Sequence, residues 1–155
     1  MLRWEQGREH IDRMIKERHL QRVPASREQA DFLLEQARLH ASAARDLAMT
    51  DPALAYTALY DAARKSLVAV LANQGLRPTS SGGHIATHEA VAAQLVPPLG
   101  QVLRPFDLIR RTRNQNEYPD FDGPHAEKDD VLEDLPKAEK IIDMAARVLD
   151  QMPVY

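Results

Sequence analysis

One long segment, residues 52–74, most constrains the fold of this chain, because its sequence specifies a helix together with both ends. Asp51 is a residue type that caps helices, and Pro52 has the backbone angle of a first helical turn. Gly75 is the residue type that most often follows a helix. Between these ends, small and medium apolar residues recur at helical spacing, namely Ala55, Leu59, Ala62, Ala63, Leu67 and Val70. Because small side chains allow close helix packing, the segment predicts a helix with helical neighbours.

Two segments before it repeat the helical period. From about residue 2 to 18, Trp4, Ile11 and Ile15 recur at helical spacing and predict an amphipathic helix or arm. Ser26 is a good N-cap, with Gln29 as capping-box partner, for a helix that extends to about Met49. The predicted inner face of that helix consists of Phe32, Leu33, Ala37, Ala44, Leu47 and Ala48.

Three segments after it are also predicted to be helical. A loop at 75–83 leads to a short helix over 84–96. The next helix covers about 99–118, and Pro105 predicts a kink or a restart within it. In the last helix, Pro136 marks a kink or the true start. The predicted inner face of the 99–118 helix consists of Val102, Leu103, Phe106 and Ile109. The predicted inner face of the last helix consists of Val131, Leu135, Ile141, Ile142, Ala145, Val148 and Leu149.

The composition favours the same fold class. Aromatic residues make up only 5% of the 155 residues, and no segment shows the alternating pattern of a strand. We therefore expect an all-α protein, an antiparallel up-and-down bundle of four to five helices. We expect residues 1–22 to form an N-terminal helix or arm and residues 23–155 to form the bundle.

Charge and cysteine content limit the possible functions. The net charge is −3, so any nucleic-acid-binding surface must be local. The absence of cysteine excludes disulfides and thiolate metal sites, and it fits a reducing cytoplasm, where we expect the protein. No window has the roughly 20 apolar residues that a membrane helix needs, so no membrane partner is expected.

The sequence RRTRNQNEYPD, residues 110–120, is the strongest candidate for a functional site. On a helix, residues three, four and seven apart share a face, so its polar side chains form two adjoining stripes. Arginine matches the oxygens of a phosphate, asparagine bonds a base or ribose, and tyrosine stacks or donates its hydroxyl. The candidate residues are Arg110, Arg111, Arg113, Asn114, Asn116 and Tyr118. A simpler alternative is a solvated helix end with an Arg113–Glu117 ion pair, which by spacing alone is the more common case.

Two other groups of residues were weighed as sites. His84 and His88 stand four residues apart, a spacing at which two histidines of one helix can share a metal, but no third ligand is evident, so no metal site is predicted. Tyr56, Tyr60 and Arg64 lie in line on their helix. Such a stripe most often packs against another helix; the alternative is that it lines the same cleft as the 110–120 motif.

The 110–120 motif resembles the signature of the HEPN superfamily (higher eukaryotes and prokaryotes nucleotide-binding), a family of four- to five-helix bundles. The family motif is arginine, a polar residue, a short spacer and histidine. Here Arg113 and Asn114 match, and Tyr118 stands at the histidine. In a second alignment, to the Arg-x4-His-x-Tyr motif of bacterial members, Arg111 matches, Asn116 replaces the histidine and Tyr118 is the tyrosine. The segments AYTALYDAARKSLVAVLANQGLRP and SSGGHIATHEA are also similar to bacterial HEPN proteins.

The resemblance implies metal-independent RNA cleavage at a site shared by two copies of the chain, without a cofactor. Arginine would hold the scissile phosphate, and Arg113, Asn114 and Tyr118 would form the catalytic group, with Arg110, Arg111 and Asn116 on RNA or phosphate. Histidine titrates near neutrality, whereas tyrosine has a pKa of about 10, so its replacement argues against full activity. The alternative is a non-catalytic HEPN module that binds a nucleotide or a partner protein.

The resemblance also implies partners. Bacterial HEPN proteins occur in toxin–antitoxin pairs with a minimal nucleotidyltransferase (MNT), which silences the toxin by attaching AMP to the motif tyrosine. In this chain the acceptor would be Tyr118. The implied partners are therefore RNA or a nucleotide, a second copy of the chain, and an MNT antitoxin in a toxin–antitoxin or defence system.

Overall fold

The computed structural model describes residues 4–117 and 125–155 and is mainly helical. In chain order its elements are α1 (Arg8–Lys16), β1 (Leu20–Arg22), α2 (Arg27–Leu47), α3 (Pro52–Gln74), β2 (Leu76–Pro78), α4 (Gly83–Leu95), α5 (Gly100–Leu103), α6 (Pro105–Glu117) and α7 (Lys128–Leu149). The all-α prediction is confirmed. No helix of the described part is long and apolar enough to span a membrane.

Helix α3 is the centre of the bundle, because α2, α4, α6 and α7 all pack against it. Its ends form as predicted: the Asp51 side chain accepts from the Leu54 N–H at 3.1 Å, and Gly75 has a φ of 83°. All six residues of its predicted inner face are buried, and so are Tyr56 and Tyr60. A helix buried on most sides has to be apolar on most sides, which is why small residues predominate in it.

Hydrogen bonds between the helices show the directions in which the main helices run. Lys65 of α3 meets His40 of α2, and the Ser26 N–H at the start of α2 bonds the Ala72 carbonyl near the end of α3. Tyr56 and Asn73 of α3 meet α7 near its start and its end, respectively. Helices α2 and α6 therefore run opposite to α3 and α7, which is the up-and-down arrangement.

The chain before α2 packs onto α4. The Trp4 indole N–H donates to the Gln94 carbonyl at 2.9 Å, and His10 Nε2 lies 2.7 Å from the Glu89 carboxylate. Helix α1 is shorter than the predicted 2–18, because the chain turns at Gly7, where φ is 77°. A side chain at Gly7 would collide with the Ala93 backbone, so glycine permits this close approach.

Two short strands were not predicted. β1 and β2 pair antiparallel, with Gln21 opposite Arg77, so the predicted loop at 75–83 begins with a strand. Each strand is three residues long, and so short a segment carries no readable alternation.

The predicted inner face of α2 is partly wrong. Phe32 is 52% exposed, and α2 is buried instead along a line of small residues and one leucine, namely Ala30, Leu34, Ala37, Ala41, Ala44 and Ala48. Close packing of α2 on α3 favours alanine in the contact and rotates the larger Phe32 outward. Leu33 and Leu47 are partly buried at the edges of the contact.

The two prolines have different effects. Pro105 restarts the helix, because α5 ends at Leu103 and α6 begins at Pro105, as one of the two alternatives predicted. Pro136 lies inside α7, which begins eight residues earlier at Lys128, so the alternative that Pro136 starts the helix is wrong. The predicted inner faces of both regions are buried except at Val102, which is partly buried.

Candidate functional site

Helix α6 presents the candidate residues because its opposite face is anchored in the core. Phe106 and Ile109 are almost fully buried, and the Phe106 ring lies 5.8 Å from the Tyr60 ring, between centroids. Four and seven residues after Ile109, on the same face of the helix, the apolar pattern gives way to Arg113 and Asn116. The change from apolar to polar along one face places charged groups where α6 still contacts α3.

Arg113 lies against α3 and is half-buried. Its guanidinium carbon is 5.3 Å from the centroid of the Tyr60 ring, within the range of a cation–π contact. One terminal nitrogen donates to the Asn114 side-chain oxygen at 3.2 Å. Its Nε atom is buried and has no hydrogen-bond partner within the described ranges. An unsatisfied donor on a fixed cation is costly unless a ligand completes it, so Arg113 is suited to receive an anion.

Arg64 of α3 shares this arrangement. It follows Tyr60 by one helical turn, and its Nε atom is also buried without a hydrogen bond to a described residue. It pairs with Asp61, whose carboxylate lies 3.6 Å from Nε. Burial raises the pKa of the Tyr60 phenol, while the charges of Arg64 and Arg113 act to lower it. Of the stripe formed by Tyr56, Tyr60 and Arg64, Tyr60 packs on Phe106 of α6 and also contacts Arg113 of the motif.

Arg110 and Arg111 share a single carboxylate. Arg110 Nη2 lies 2.8 Å from one oxygen of Asp107, and Arg111 Nη2 lies 2.7 Å from the other. The bond from Arg110 holds the pKa of Asp107 below its usual value, so this carboxylate is ionised at neutral pH. Asp107 therefore offsets part of the positive charge that the sequence places on α6.

Asn116 joins three elements. Its amide nitrogen donates to the Ala53 carbonyl at 2.8 Å, and its oxygen accepts from the Ala126 N–H at 3.4 Å. Glu117 accepts a hydrogen bond from the Thr57 hydroxyl at 2.9 Å. The ion pair between Arg113 and Glu117, which defined the simpler alternative, is thus not formed. Tyr118, with Pro119 after it, lies outside the described residues.

His88 stacks on Phe106, which in turn packs on Tyr60, but His88 is not next to Arg113. Its ring stacks on Phe106 with centroids 5.2 Å apart, so Phe106 and Tyr60 separate it from Arg113. Burial lowers the pKa of His88, which keeps the imidazole neutral at pH 7. In the part of the chain that the structure describes, no three histidine or carboxylate side chains converge in a way that would hold a metal.

A second polar contact lies one turn before Tyr60. The Tyr56 hydroxyl donates to Asp134 of α7 at 2.7 Å, and Lys137 bonds the other oxygen of Asp134 at 2.9 Å. Burial and this bond raise the pKa of Tyr56 well above its ordinary value. Tyr56 is therefore a protonated link between α3 and α7.

Sequence reasoning singled out Arg113 and Asn114 but missed the pairing of Asp107 with Arg110 and Arg111. That pairing was readable, because the three residues stand at three- and four-residue spacing. A position of Tyr60 next to the motif was predicted only as an alternative, since it depends on which face of α3 meets α6.

One comparison with known proteins gives a match. The family model described as the HEPN domain matches residues 23–149, which is most of the chain. No curated protein and no solved structure matches the chain significantly.

Proposed function

This chain belongs to the HEPN family, and we propose that it binds RNA by holding a backbone phosphate on Arg113. The observation that carries the proposal is the half-buried Arg113 guanidinium, which lies over Tyr60 and whose Nε bonds none of the described residues. A guanidinium held in one orientation loses little entropy when it binds a phosphate oxygen. Asn114, already bonded to Arg113, would orient it or contact a ribose.

We propose further that the bound RNA is cleaved without a metal, as the family resemblance implies. The ribose 2′-oxygen would attack phosphorus, and the bond from phosphorus to the 5′-oxygen would break. The products would be a 2′,3′-cyclic phosphate and a 5′-hydroxyl. A general base would take the proton of the 2′-hydroxyl. The leaving 5′-oxygen would receive a proton from a general acid, and Tyr118 is the proposed acid. Arg113 would stabilise the charge on the phosphate oxygens.

The second candidate function is a non-catalytic module that binds RNA, a nucleotide or a partner protein. Two observations favour it. His88, the imidazole of the aromatic stack, reaches Arg113 only through Phe106 and Tyr60, and Asp107 engages both Arg110 and Arg111. In this reading Arg113 holds a phosphate that is not cleaved.

The experiment measures binding and cleavage together. Binding of a fluorescent single-stranded RNA is followed by anisotropy, and cleavage of the same RNA is followed in EDTA. Arg113→Ala should weaken binding by about tenfold or more, because a charge-assisted hydrogen bond is lost. Arg147→Ala, on the exposed face of α7, is the matched control and should change neither.

The outcomes separate the two candidates. Cleavage that Arg113→Ala and Tyr118→Phe both abolish supports the ribonuclease. Binding that needs Arg113, without cleavage by any preparation, supports the non-catalytic module. Equal binding by Arg113→Ala and the wild type would contradict both.

The partners implied by the resemblance remain part of this proposal. We expect a homodimer that brings two Arg113 sites together, in a toxin–antitoxin or defence system. An MNT partner would modify Tyr118 with AMP. Sedimentation of the purified protein tests the dimer, and the mass of the Tyr118 peptide after co-expression with a neighbouring nucleotidyltransferase tests the modification.

A further inference from the structure

A line of side chains leads away from Arg113, across α3 and onto α2. Its first member is Arg64, one helical turn after Tyr60 and thus beside the ring that Arg113 covers. The Arg64 side chain is 25% exposed, and its Asp61 contact of 3.6 Å is longer than a hydrogen bond. Among the described residues, Arg64 Nε therefore has no hydrogen-bond partner and can donate to a phosphate.

The second member is Lys65. Its ammonium donates to His40 Nε2 at 2.7 Å and to the Gln36 side-chain oxygen at 3.1 Å. An imidazole that accepts this bond is neutral, and so is the glutamine, so neither partner offsets the lysine charge. Lysine has three N–H donors, which leaves one for another acceptor. The nearby Asp61 pairs with Arg64 rather than with Lys65.

The third member is Phe32, which lies one turn before Gln36 on the same face of α2. It is 52% exposed, unlike most apolar residues of α2. An exposed aromatic ring offers a face on which a base of a single-stranded nucleic acid can stack.

The opposite direction from Arg113 is acidic. At the end of α6 the Glu117 carboxylate bonds Thr57, and the exposed Asp51 caps the start of α3 close by. Asp134 lies next to Tyr56, one turn from Tyr60. On the other side the two cations Arg64 and Lys65 outnumber Asp61, the carboxylate that lies 3.6 Å from Arg64 Nε, so a polyanion at Arg113 would be attracted more strongly toward Arg64.

We propose that a single RNA strand runs from Arg113 across Arg64 and Lys65, and that a base at its far end stacks on Phe32. This inference rests on the proposed function, because Arg113 is its starting point. We define the RNA strip as Arg64, Lys65 and Phe32. The strip accepts single-stranded RNA, since a base must leave its own stack to contact Phe32.

The test measures how affinity grows with RNA length. Oligoadenylates of about two to eight nucleotides cover the range from one subsite to the full site of a small binding module. For the wild type, affinity should rise with length until the strip is filled. Phe32→Leu and Lys65→Gln should each bind the shortest RNA with the affinity of the wild type. For the longest RNA, each change should lower the affinity about fivefold or more, because a base stack or a phosphate contact is lost.

Controls and salt dependence complete the experiment. Lys140→Gln removes an exposed lysine of α7 and Leu39→Ala an exposed apolar residue of α2, and neither should affect binding. Lys65→Gln should also reduce the slope of log affinity against log salt by about 0.7, the value for one single-strand phosphate contact. Circular dichroism and thermal melting establish that each variant is folded.

The failures are distinguishable. Binding that needs Arg113 but does not depend on length, Lys65 or Phe32 overturns the strip and leaves the proposed function in place. A wild type that binds no RNA of any length overturns both. A Lys140→Gln effect equal to that of Lys65→Gln would show general attraction by surface charge and would also overturn the strip.

Discussion

The Arg113 guanidinium of α6 lies over the Tyr60 ring of α3, with 5.3 Å between its central carbon and the ring centroid. This contact joins the polar motif of α6 to the middle of α3, the central helix. It holds a cation at the junction of the two helices, and the charges of Arg113 and Arg64 both act to lower the pKa of the Tyr60 phenol. The predictions below follow from this junction and from the groups that surround it.

Replacing Tyr60 tests the contact itself. Tyr60→Phe keeps the ring under Arg113 and should retain RNA affinity, whereas Tyr60→Leu should weaken it about two- to thirtyfold, the range of a cation–π contact. Anisotropy titrations of both variants measure the difference. Equal affinities for the two variants would show that the ring does not position Arg113.

Replacing Asp107 should strengthen RNA binding. Its carboxylate holds Arg110 and Arg111 at 2.8 and 2.7 Å, so Asp107→Asn releases two guanidinium groups toward a phosphate. Affinity should rise about threefold or more, and the salt slope should steepen by about 0.7 for each added phosphate contact. Asp143→Asn, an exposed change on α7, is the control. Weaker binding by Asp107→Asn would mean that Asp107 orients the arginines rather than competing for them.

The protein should lose stability on mild acidification, partly through His88. Burial holds the pKa of His88 below 6.5 in the folded protein, so the unfolded chain binds a proton more readily. The contribution of the neutral imidazole to the unfolding free energy is fully present above about pH 6.5, and it is lost as the pH falls through the pKa of the folded state. His88→Phe keeps a ring against Phe106 and removes the titration.

Urea unfolding at pH 7 and pH 5 measures this effect. The wild type should lose more unfolding free energy than His88→Phe over this interval, because only the wild type has to protonate this buried imidazole. His125→Gln, at an exposed histidine, should behave like the wild type. A His88→Phe variant with the full wild-type pH dependence would assign the loss to other groups, His40 among them, since burial lowers its pKa as well.

Tyr56→Phe should destabilise the fold without affecting RNA binding. It removes the 2.7 Å bond to Asp134, which is largely buried, with a side chain 14% exposed. The loss of a hydrogen bond to a charged group corresponds to about 1.5–3 kcal/mol of unfolding free energy. Thermal or urea unfolding at pH 7 measures it. Unchanged stability would show that Lys137 alone satisfies Asp134.

Much of the helical fold could be read directly from the sequence. Asp51, Pro52 and Gly75 specified the ends of α3 through local hydrogen bonds and backbone angles, which depend only on neighbouring residues. Ser26 did the same for α2, where its hydroxyl accepts from the Gln29 N–H at 3.0 Å. The error at Phe32 arose because helical periodicity identifies an amphipathic helix but not which of two adjacent apolar stripes meets a neighbour that requires small residues.

The candidate site was readable in part. The motif identified Arg113 and Asn114 because they are adjacent in sequence and share a helix. The sequence by itself determined the helices, their caps and the residue types able to bind phosphate, because each of these depends on local chemistry. Only the tertiary structure decided that Arg113 of α6 meets Tyr60 of α3. Such contacts between helices depend on how α6 is rotated and docked on α3, which is set by packing of the whole core.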